Sequence, residues 1–181
     1  MNVVRTAIPD VLILEPRVFA DERGFFLESW NARHFRAALG VDVTFVQDNH
    51  SRSRRGVLRG MHYQIVQPQG KLVRVVRGRV FDVAVDLRRS SATFGRWVSV
   101  ELGDHNHRQV FVPAGFAHGF LVVSDEADVL YKTTDYYAPQ HERCLIWSDP
   151  EVAIAWPVDG EPLLAAKDRA GLGLQKVETF A

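Results

Sequence analysis

Three ionisable side chains lie in short motifs that could together form a reaction site. His62 is in the strand-like stretch GVLRGMHYQ (56–64), Lys71 begins the stretch KLVRVVRG, and His118 ends the motif PAGFAH. An imidazole exchanges protons near neutral pH, and a fixed ammonium stabilises an oxyanion. These residue types indicate proton transfer at a carbon acid. A single histidine taken alone more often makes only a structural hydrogen bond.

The order of these motifs follows the cupin barrels in outline, but the metal ligands of that pattern are missing. The pattern has two histidines one residue apart, then an acidic ligand, and later a Pro-x-Gly-x-x-His motif. Here Gln64 stands where the second histidine belongs, and Lys71 stands near the acidic position. An ammonium in place of a carboxylate repels a divalent cation. We therefore expect a metal-free site.

Short β-strands must position these side chains. The stretch 71–88 predicts two strands joined near Gly78, and the second strand alternates apolar residues with Asp82 and Asp86. The two aspartates either assist the site from inside the barrel or are exposed. Further short strands, separated by turn residues, are predicted at 97–102, 108–113, 118–124 and 128–134.

Helix is scarce in this sequence. Residues 31–40 predict a short helix with Asn31 as its N-cap and Gly40 at its end, and 162–171 predicts a second one. A chain of 181 residues with 46% hydrophobic content suits one domain. We predict a single all-β domain over 1–181, a cupin-like jelly-roll barrel or sandwich with a few short peripheral helices.

Charge and composition exclude several partner classes. The 22 basic and 22 acidic side chains cancel, so no global field attracts nucleic acid or a membrane surface. The single cysteine, Cys144, cannot form an internal disulfide, and no apolar run approaches the roughly 18 to 20 residues of a membrane span. We expect a cytoplasmic protein whose anionic partner is small and locally bound.

Longer motifs resemble the dTDP-4-dehydrorhamnose 3,5-epimerase family. They occur in the family's order along nearly the whole chain, and each carries polar residues at fixed spacing. The motifs are ERGFFLESW (22–30), QDNHSRSRRGVLRGMHYQ (47–64), QGKLVRVVRGRVFDVAVDLR (69–88), FVPAGFAHGF (111–120), LYKTTDYYAPQHERCLIWSDP (130–150) and KDRAG (167–171).

The resemblance implies an isomerase without a cofactor that inverts carbons 3 and 5 of dTDP-4-dehydro-6-deoxy-D-glucose to give dTDP-4-dehydro-L-rhamnose. A C–H beside the carbon-4 ketone is acidic because its carbanion is an enolate. The reaction needs a base, an oxyanion stabiliser, and an acid on the opposite ring face. Matching to the family implies that His62 is the base paired with Asp168 and that Tyr131 is the acid; Lys71 is our candidate for polarising the ketone.

The same matching implies the contacts to the sugar nucleotide. Arg23 and Arg59 would pair with the diphosphate, since a guanidinium binds two oxygens at once, and Tyr137 would stack on thymine. His118 would lie near the sugar, unless it makes only a structural hydrogen bond. The other implied contacts are Glu28, Gln47, Asp48, Asn49, Glu142 and Lys167. In the family the 47–49 segment crosses a dimer interface, so the resemblance implies a homodimer with sites completed across that interface.

One expectation conflicts with regular strand geometry. Successive side chains of a strand point to opposite faces, so Arg59 and His62 would face apart. The resemblance requires both at the substrate. Gly60 lies between them, and a β-bulge at this glycine would re-aim one of the two side chains.

Three other functions remain open from the sequence. Relatives that invert only carbon 3 or only carbon 5 would carry the same catalytic residues. A metal-dependent cupin oxygenase or isomerase would need a bound ion, against which Gln64 and Lys71 argue. A non-catalytic sugar-nucleotide binding module would bind dTDP without solvent exchange at the sugar, and the joint presence of His62, Tyr131 and Asp168 argues against it.

Overall fold

The computed structural model describes all 181 residues and contains thirteen strands, two α-helices and one 3-10 turn at Pro139–His141. In chain order the strands and helices are β1 (Asn2–Arg5), β2 (Leu12–Glu15), β3 (Val18–Asp21), β4 (Gly24–Leu27), α1 (Ala32–Leu39), β5 (Gln47–Arg54), β6 (Leu58–Gln64), β7 (Lys71–Arg77), β8 (Arg79–Asp86), β9 (Trp97–Gly103), β10 (Gln109–Val112), β11 (Phe116–Val122), β12 (Glu126–Thr133), β13 (Glu142–Cys144) and α2 (Ala166–Arg169).

Two antiparallel sheets form the body of the molecule. One has six strands in the order β1-β2-β10-β7-β12-β5, and the other has five in the order β13-β6-β11-β8-β9. Strands β3 and β4 form a separate hairpin. This is the all-β, cupin-like jelly roll that the sequence predicts. No helix has the length and apolar character needed to cross a membrane.

The main core consists of small and branched apolar side chains from both sheets, among them Val73, Val110 and Val129 from the larger sheet and Val80 and Val100 from the smaller. Burying such side chains away from water supplies most of the driving force for folding. A second cluster, which includes Val83, Val85 and Leu87, lies on the other face of β8 and packs against the C-terminal segment. Strand β8 is therefore buried on both faces.

The predicted turns and caps are largely confirmed. Gly78, with φ at 75°, separates β7 from β8 as expected. The Asn31 side chain accepts hydrogen bonds from the first backbone amides of α1, and Gly40 ends that helix with φ at 69°. The second helix is shorter than predicted, because only Ala166–Arg169 is helical within 162–171. Strands β1 to β5 and β13 were not assigned from the sequence.

The predicted irregularity at Gly60 is present. Along the β6–β11 pair, His118 lies opposite His62 but Phe120 lies opposite Arg59, so β6 has one extra residue in that interval. Gly60 has φ at 136°, and a Cβ there would lie 2.5 Å from Cα of Gly119. Two glycines thus allow a close approach of the two backbones. The extra residue brings both Arg59 and His62 to one cavity.

Candidate active site

A cavity of about 330 Å³ opens between the two sheets. Both sheets contribute side chains to it, and the segment around α2 covers one side. Most of the lining residues are polar. The cavity is lined by Gln47, Asn49, Ser51, Arg59, His62, Tyr63, Gln64, Gln69, Lys71, His118, Phe120, Tyr131, Tyr137, Glu142, Ala165, Lys167 and Asp168.

His62 and Asp168 form a short hydrogen-bonded pair. Nε2 of His62 lies 2.5 Å from Oδ1 of Asp168, although 106 residues separate them in the chain. The carboxylate side chain is 3% exposed and the imidazole 22%. A buried carboxylate at this position fixes the ring orientation and stabilises the imidazolium. The half-buried ring retains a free nitrogen, so the pair can act as a general base.

Lys71 is a buried cation at the start of β7. Its Nζ donates a hydrogen bond to the backbone carbonyl of His62 at 3.1 Å. Burial lowers the pKa of the Lys71 ammonium to about 8, while the charges of Asp82 and Glu142 oppose this shift. The ammonium is therefore the predominant form at neutral pH. It lies in a site that excludes much of the water that would otherwise screen its charge.

A second histidine–aspartate pair lines the interior next to the first. His118 is directly opposite His62 across the β6–β11 pair, and its Nε2 lies 2.9 Å from Asp82. Both side chains are buried. From the alternation along β8, Asp82 was expected either to assist the site from inside the barrel or to be exposed. In the structure it lies inside. Asp86 matches neither expectation. Its carboxylate is buried and hydrogen-bonded to Arg88, Ser91 and Thr93, and it does not line the cavity.

Tyr131 enters the cavity from the sheet that faces His62. It lies on β12 in the six-stranded sheet, opposite Asn49 on one side and Val73 on the other, whereas His62 is in the five-stranded sheet. Burial raises the pKa of the Tyr131 phenol, and the positive charges of Lys167 and Arg59 oppose that shift. The phenol is thus a protonated donor at neutral pH.

The polar end of the cavity is built around a linked set of side chains. Nζ of Lys167 lies 2.8 Å from Glu142, whose carboxylate also accepts a hydrogen bond from the Tyr137 hydroxyl at 3.3 Å. Gln47 binds the backbone amide of Tyr137 at 3.0 Å. The Tyr137 residue is half exposed. Its ring is therefore held at the rim with surface available for stacking.

Arg59 and Ser51 also line the cavity. Nε of Arg59 donates to Oγ of Ser53 at 2.9 Å, which orients the guanidinium. The Ser51 hydroxyl lines the cavity and is buried without a hydrogen-bond partner. Buried polar atoms in native proteins nearly always have partners, so an unpaired hydroxyl in a cavity is suited to a polar ligand. Ser51 was not singled out from the sequence; the available signal was its alternate spacing with the predicted contacts Gln47 and Asn49.

Three of the predicted binding residues do not reach this cavity. Asp48 pairs with Nζ of Lys132 at 2.9 Å, because alternation along β5 turns it away from this cavity, and its contact with the substrate stays a prediction. Arg23 pairs with Asp21 in the exposed β3–β4 hairpin. Glu28 lies just beyond that hairpin and binds the side chains of Asn31 and His34 at the start of α1.

The 47–49 segment contributes two side chains to the cavity of its own chain, Gln47 and Asn49. The contribution of this segment to a partner's site stays a prediction. Strand β5 pairs with β12 in register, with Gln47 opposite Thr133 and Asn49 opposite Tyr131. That pairing fixes the inward direction of both side chains.

Gln64 is structural. Its amide nitrogen donates to the backbone carbonyls of Gln67 at 2.8 Å and Tyr136 at 3.2 Å, and its oxygen accepts from the amide of Ala138 at 2.8 Å. With its oxygen and nitrogen engaged by the backbone, this side chain joins β6 to the loop after β12. The residues at the cupin ligand positions, a backbone-bound amide and the Lys71 ammonium, do not fit a divalent ion.

Comparison with known proteins agrees with this geometry. The family model described as dTDP-4-dehydrorhamnose 3,5-epimerase matches residues 5–176. The protein of that name from Pseudomonas aeruginosa is 61% identical over 180 residues, which is 99% of each chain. The chain belongs to the dTDP-4-dehydrorhamnose 3,5-epimerase family. It is accordingly an isomerase of the epimerase type.

Two solved structures of relatives place the fold within this family. A dTDP-6-deoxy-D-glucose-3,5-epimerase from Legionella pneumophila, in complex with dTDP-4-keto-L-rhamnose, has a TM-score of 0.95 and 51% identity and covers 98% of this chain and 94% of its own. A 3'-monoepimerase from Streptomyces bikiniensis, in complex with dTDP-quinovose, has a TM-score of 0.89 and 38% identity, with 94% and 87% covered. The family fold therefore serves both double and single inversions.

Proposed function

We propose that the protein converts dTDP-4-dehydro-6-deoxy-D-glucose to dTDP-4-dehydro-L-rhamnose by inverting carbons 3 and 5. One observation supports this most directly: the His62–Asp168 pair and the Tyr131 phenol enter the same cavity from opposite sheets. Inversion requires removal of a proton from one face of the sugar and delivery to the other. All steps are proton transfers, so the reaction needs no redox cofactor.

In the first step His62 accepts the proton of a C–H next to the carbon-4 ketone. Asp168 stabilises the resulting imidazolium through its 2.5 Å hydrogen bond. The electron pair of the broken C–H bond moves into the ring and onto the ketone oxygen. The product of this step is an enolate, whose negative charge must be stabilised inside the cavity.

Lys71 stabilises the enolate oxygen in this proposal. Its ammonium is buried in the same cavity and is held by the backbone carbonyl of His62. A preorganised cation where charge develops typically supplies several kcal/mol of transition-state stabilisation, on the order of 3 kcal/mol for one donor. His118, fixed by Asp82, is the neighbouring group that would hold the sugar hydroxyls.

Tyr131 then protonates the carbanion carbon from the opposite face. The raised pKa of its phenol keeps the proton in place at neutral pH until the carbanion forms. The same three groups serve carbons 3 and 5 in turn, because both carbons lie next to the same ketone. Before the next inversion the His62 imidazolium releases its proton to solvent, and the Tyr131 phenolate takes a proton from solvent.

The polar end of the cavity would hold the dTDP portion. Arg59 would bind the diphosphate with help from the unpaired Ser51 hydroxyl, and Tyr137 would stack on thymine. Gln47, Asn49, Glu142 and Lys167 remain proposed contacts because they line the cavity. A non-catalytic binding module would need the same residues to bind dTDP, but it would not need a buried histidine–aspartate pair.

We also propose a homodimer in which the β3–β4 hairpin completes the site of the partner. Arg23 and Glu28 match family contacts to the substrate, yet neither lines its own cavity. The hairpin exposes three phenylalanines, Phe19, Phe25 and Phe26, which are 49%, 62% and 70% exposed. A protruding apolar surface of this kind favours burial against another chain.

Proton NMR of the reaction in deuterium oxide tests the proposed reaction. We expect deuterium at both carbon 3 and carbon 5, and a product with both centres inverted. A product that is inverted and labelled at carbon 3 alone would reject the double epimerase in favour of the single inversion named for the Streptomyces bikiniensis relative. Full activity after chelation is expected as well, and loss of activity under chelation would support a metal-dependent mechanism instead.

A further inference from the structure

Cys144 lies beside the catalytic pair but has no part in the proposed reaction. It is on β13, directly opposite His62 on β6. Its sulfur, a ring nitrogen of His62 and a carboxylate oxygen of Asp168 all lie within 4.8 Å of one another. These three atoms come from two strands and a helix, so the fold rather than local sequence brings them together.

A sulfur, a nitrogen and an oxygen at this spacing form a recognisable ligand set. Zn²⁺ binds cysteine, histidine and carboxylate side chains, and three protein ligands with a fourth open position are typical of accessible zinc sites. The thiolate favours zinc and softer ions over magnesium or calcium. This set includes His62, the first histidine of the cupin pattern, but its other two ligands are Cys144 and Asp168 rather than the residues at the positions of Gln64 and Lys71.

We propose that His62, Cys144 and Asp168 form an inhibitory binding site for Zn²⁺. The inhibition rests on the proposed function of His62 as the base, whereas the binding does not. An ion held between Nε2 of His62 and the Asp168 carboxylate displaces the proton that these two groups share, and that proton moves to Nδ1 of the ring. The ring then has no free nitrogen to accept a proton from the sugar. Enzyme with zinc bound is inactive until a chelator removes the ion.

The proton balance of binding follows from the state of the thiol. Burial raises the pKa of the Cys144 thiol to about 12, with the negative charge of Asp168 adding to the effect. The free protein therefore holds a neutral thiol at pH 7. Binding forms a zinc–sulfur bond and releases the thiol proton to solvent, as metal binding to cysteine generally does.

Cys144 borders a separate, smaller cavity. This cavity of about 240 Å³ is lined by Cys144, Glu142, Lys176 and Glu178, among others. His62 and Asp168 line the main cavity, and Cys144 does not. An ion that enters the smaller cavity therefore meets the thiol before the other two ligands.

Cobalt binding without substrate tests the site independently of activity. Co²⁺ added to the wild-type protein should give thiolate-to-cobalt charge-transfer absorption in the near ultraviolet with one ion per chain. Cys144→Ser and Cys144→Ala should lose this absorption and bind zinc more weakly by more than about tenfold. His105→Ala, which removes an exposed histidine paired with Glu101, should change neither result. A wild-type protein without the charge-transfer band overturns the proposal.

Inhibition gives the second test. Zinc should abolish deuterium exchange by the wild-type enzyme, and EDTA should restore it. Cys144→Ala should keep its activity and tolerate more than about tenfold higher zinc. Equal zinc sensitivity of wild type and Cys144→Ala overturns the proposed site. Stoichiometric binding without inhibition contradicts both the inhibitory role and His62 as the base, whereas absence of binding leaves the proposed function intact.

Discussion

At the scale of single residues, the charge of Lys71 sets an upper pH limit for the reaction. The lowered pKa of about 8 means that the ammonium is present below that pH and is lost above it. We expect kcat/KM to fall by about tenfold per pH unit above pH 8, because only the charged form stabilises the enolate. The measurement is a pH–rate profile under subsaturating substrate. Lys71→Arg should shift the alkaline limb of the profile to higher pH, because a guanidinium stays charged there. If the limb stays at the same pH, it reports the titration of another group.

Asp168 acts through His62 rather than on the sugar. Asp168→Asn removes the charge that stabilises the imidazolium, so kcat should fall by roughly a hundredfold to ten-thousandfold while dTDP binding is nearly retained. Steady-state kinetics and dTDP titration measure the two effects. Asp125→Asn is the matched control, because Asp125 pairs with Arg55 on the surface and its side chain is 98% exposed. Equal losses in the two variants would remove Asp168 from the mechanism.

At the scale of strands, the bulge in the antiparallel pair of β6 and β11 places the base. The close approach of Gly60 to Gly119 leaves no room for a Cβ, and the positive φ of Gly60 is strained for any other residue. Gly60→Ala should cost about 1–3 kcal/mol of folding free energy. It should also lower kcat/KM on the order of a hundredfold, because His62 and Arg59 flank the shifted backbone.

Thermal unfolding and kinetics of a matched variant separate strain from crowding. Gly56→Ala introduces the same side chain at a positive φ of 80°, but nothing lies within 4 Å of the added Cβ. This variant should lose some stability and keep its activity. If Gly60→Ala behaves like Gly56→Ala in both measurements, the bulge does not position the site.

Apolar residues at regular spacing predicted the strands that contribute to the hydrophobic core. The same criterion missed strands without such residues. The stretch that forms β7 and β8 is rich in valine and is divided by Gly78, and β8 alternates apolar residues with Asp82 and Asp86, so both strands could be predicted. Strand β5, with the sequence QDNHSRSR, is entirely polar, and three of its side chains, Gln47, Asn49 and Ser51, face the cavity rather than the core. Hydrophobic periodicity cannot detect a strand of this kind.

At the scale of the whole molecule, the catalytic pair is a product of tertiary structure. His62 and Asp168 meet only because the C-terminal segment folds back over β6, and no spacing rule links positions 106 residues apart. The resemblance to the family supplied this pair before the structure did. The resemblance did not show where each side chain points in the folded chain. Asp48 faces outward, and Arg23 and Glu28 lie away from the cavity of their own chain.

Completion of one site by the partner's hairpin predicts complementation. If Arg23 acts in the partner's cavity, mixed dimers of His62→Ala and Arg23→Ala contain one intact site, so coexpression should restore about a quarter of wild-type activity. Coexpression of His62→Ala with Tyr131→Phe is the control, because both residues belong to the same cavity and each mixed site keeps a defect. No recovery in the first pair would place Arg23 in its own site or outside any site.

The most direct test of the central claim is deuterium exchange against inversion in Tyr131→Phe. The base and the acid enter from opposite sheets, so removing the phenol should leave proton abstraction by His62 working and stop delivery to the far face. NMR in deuterium oxide should show substrate that gains deuterium with its configuration retained, and inversion slowed far more than exchange. Inversion at the wild-type rate in Tyr131→Phe, or loss of exchange and inversion in equal proportion, would contradict this account.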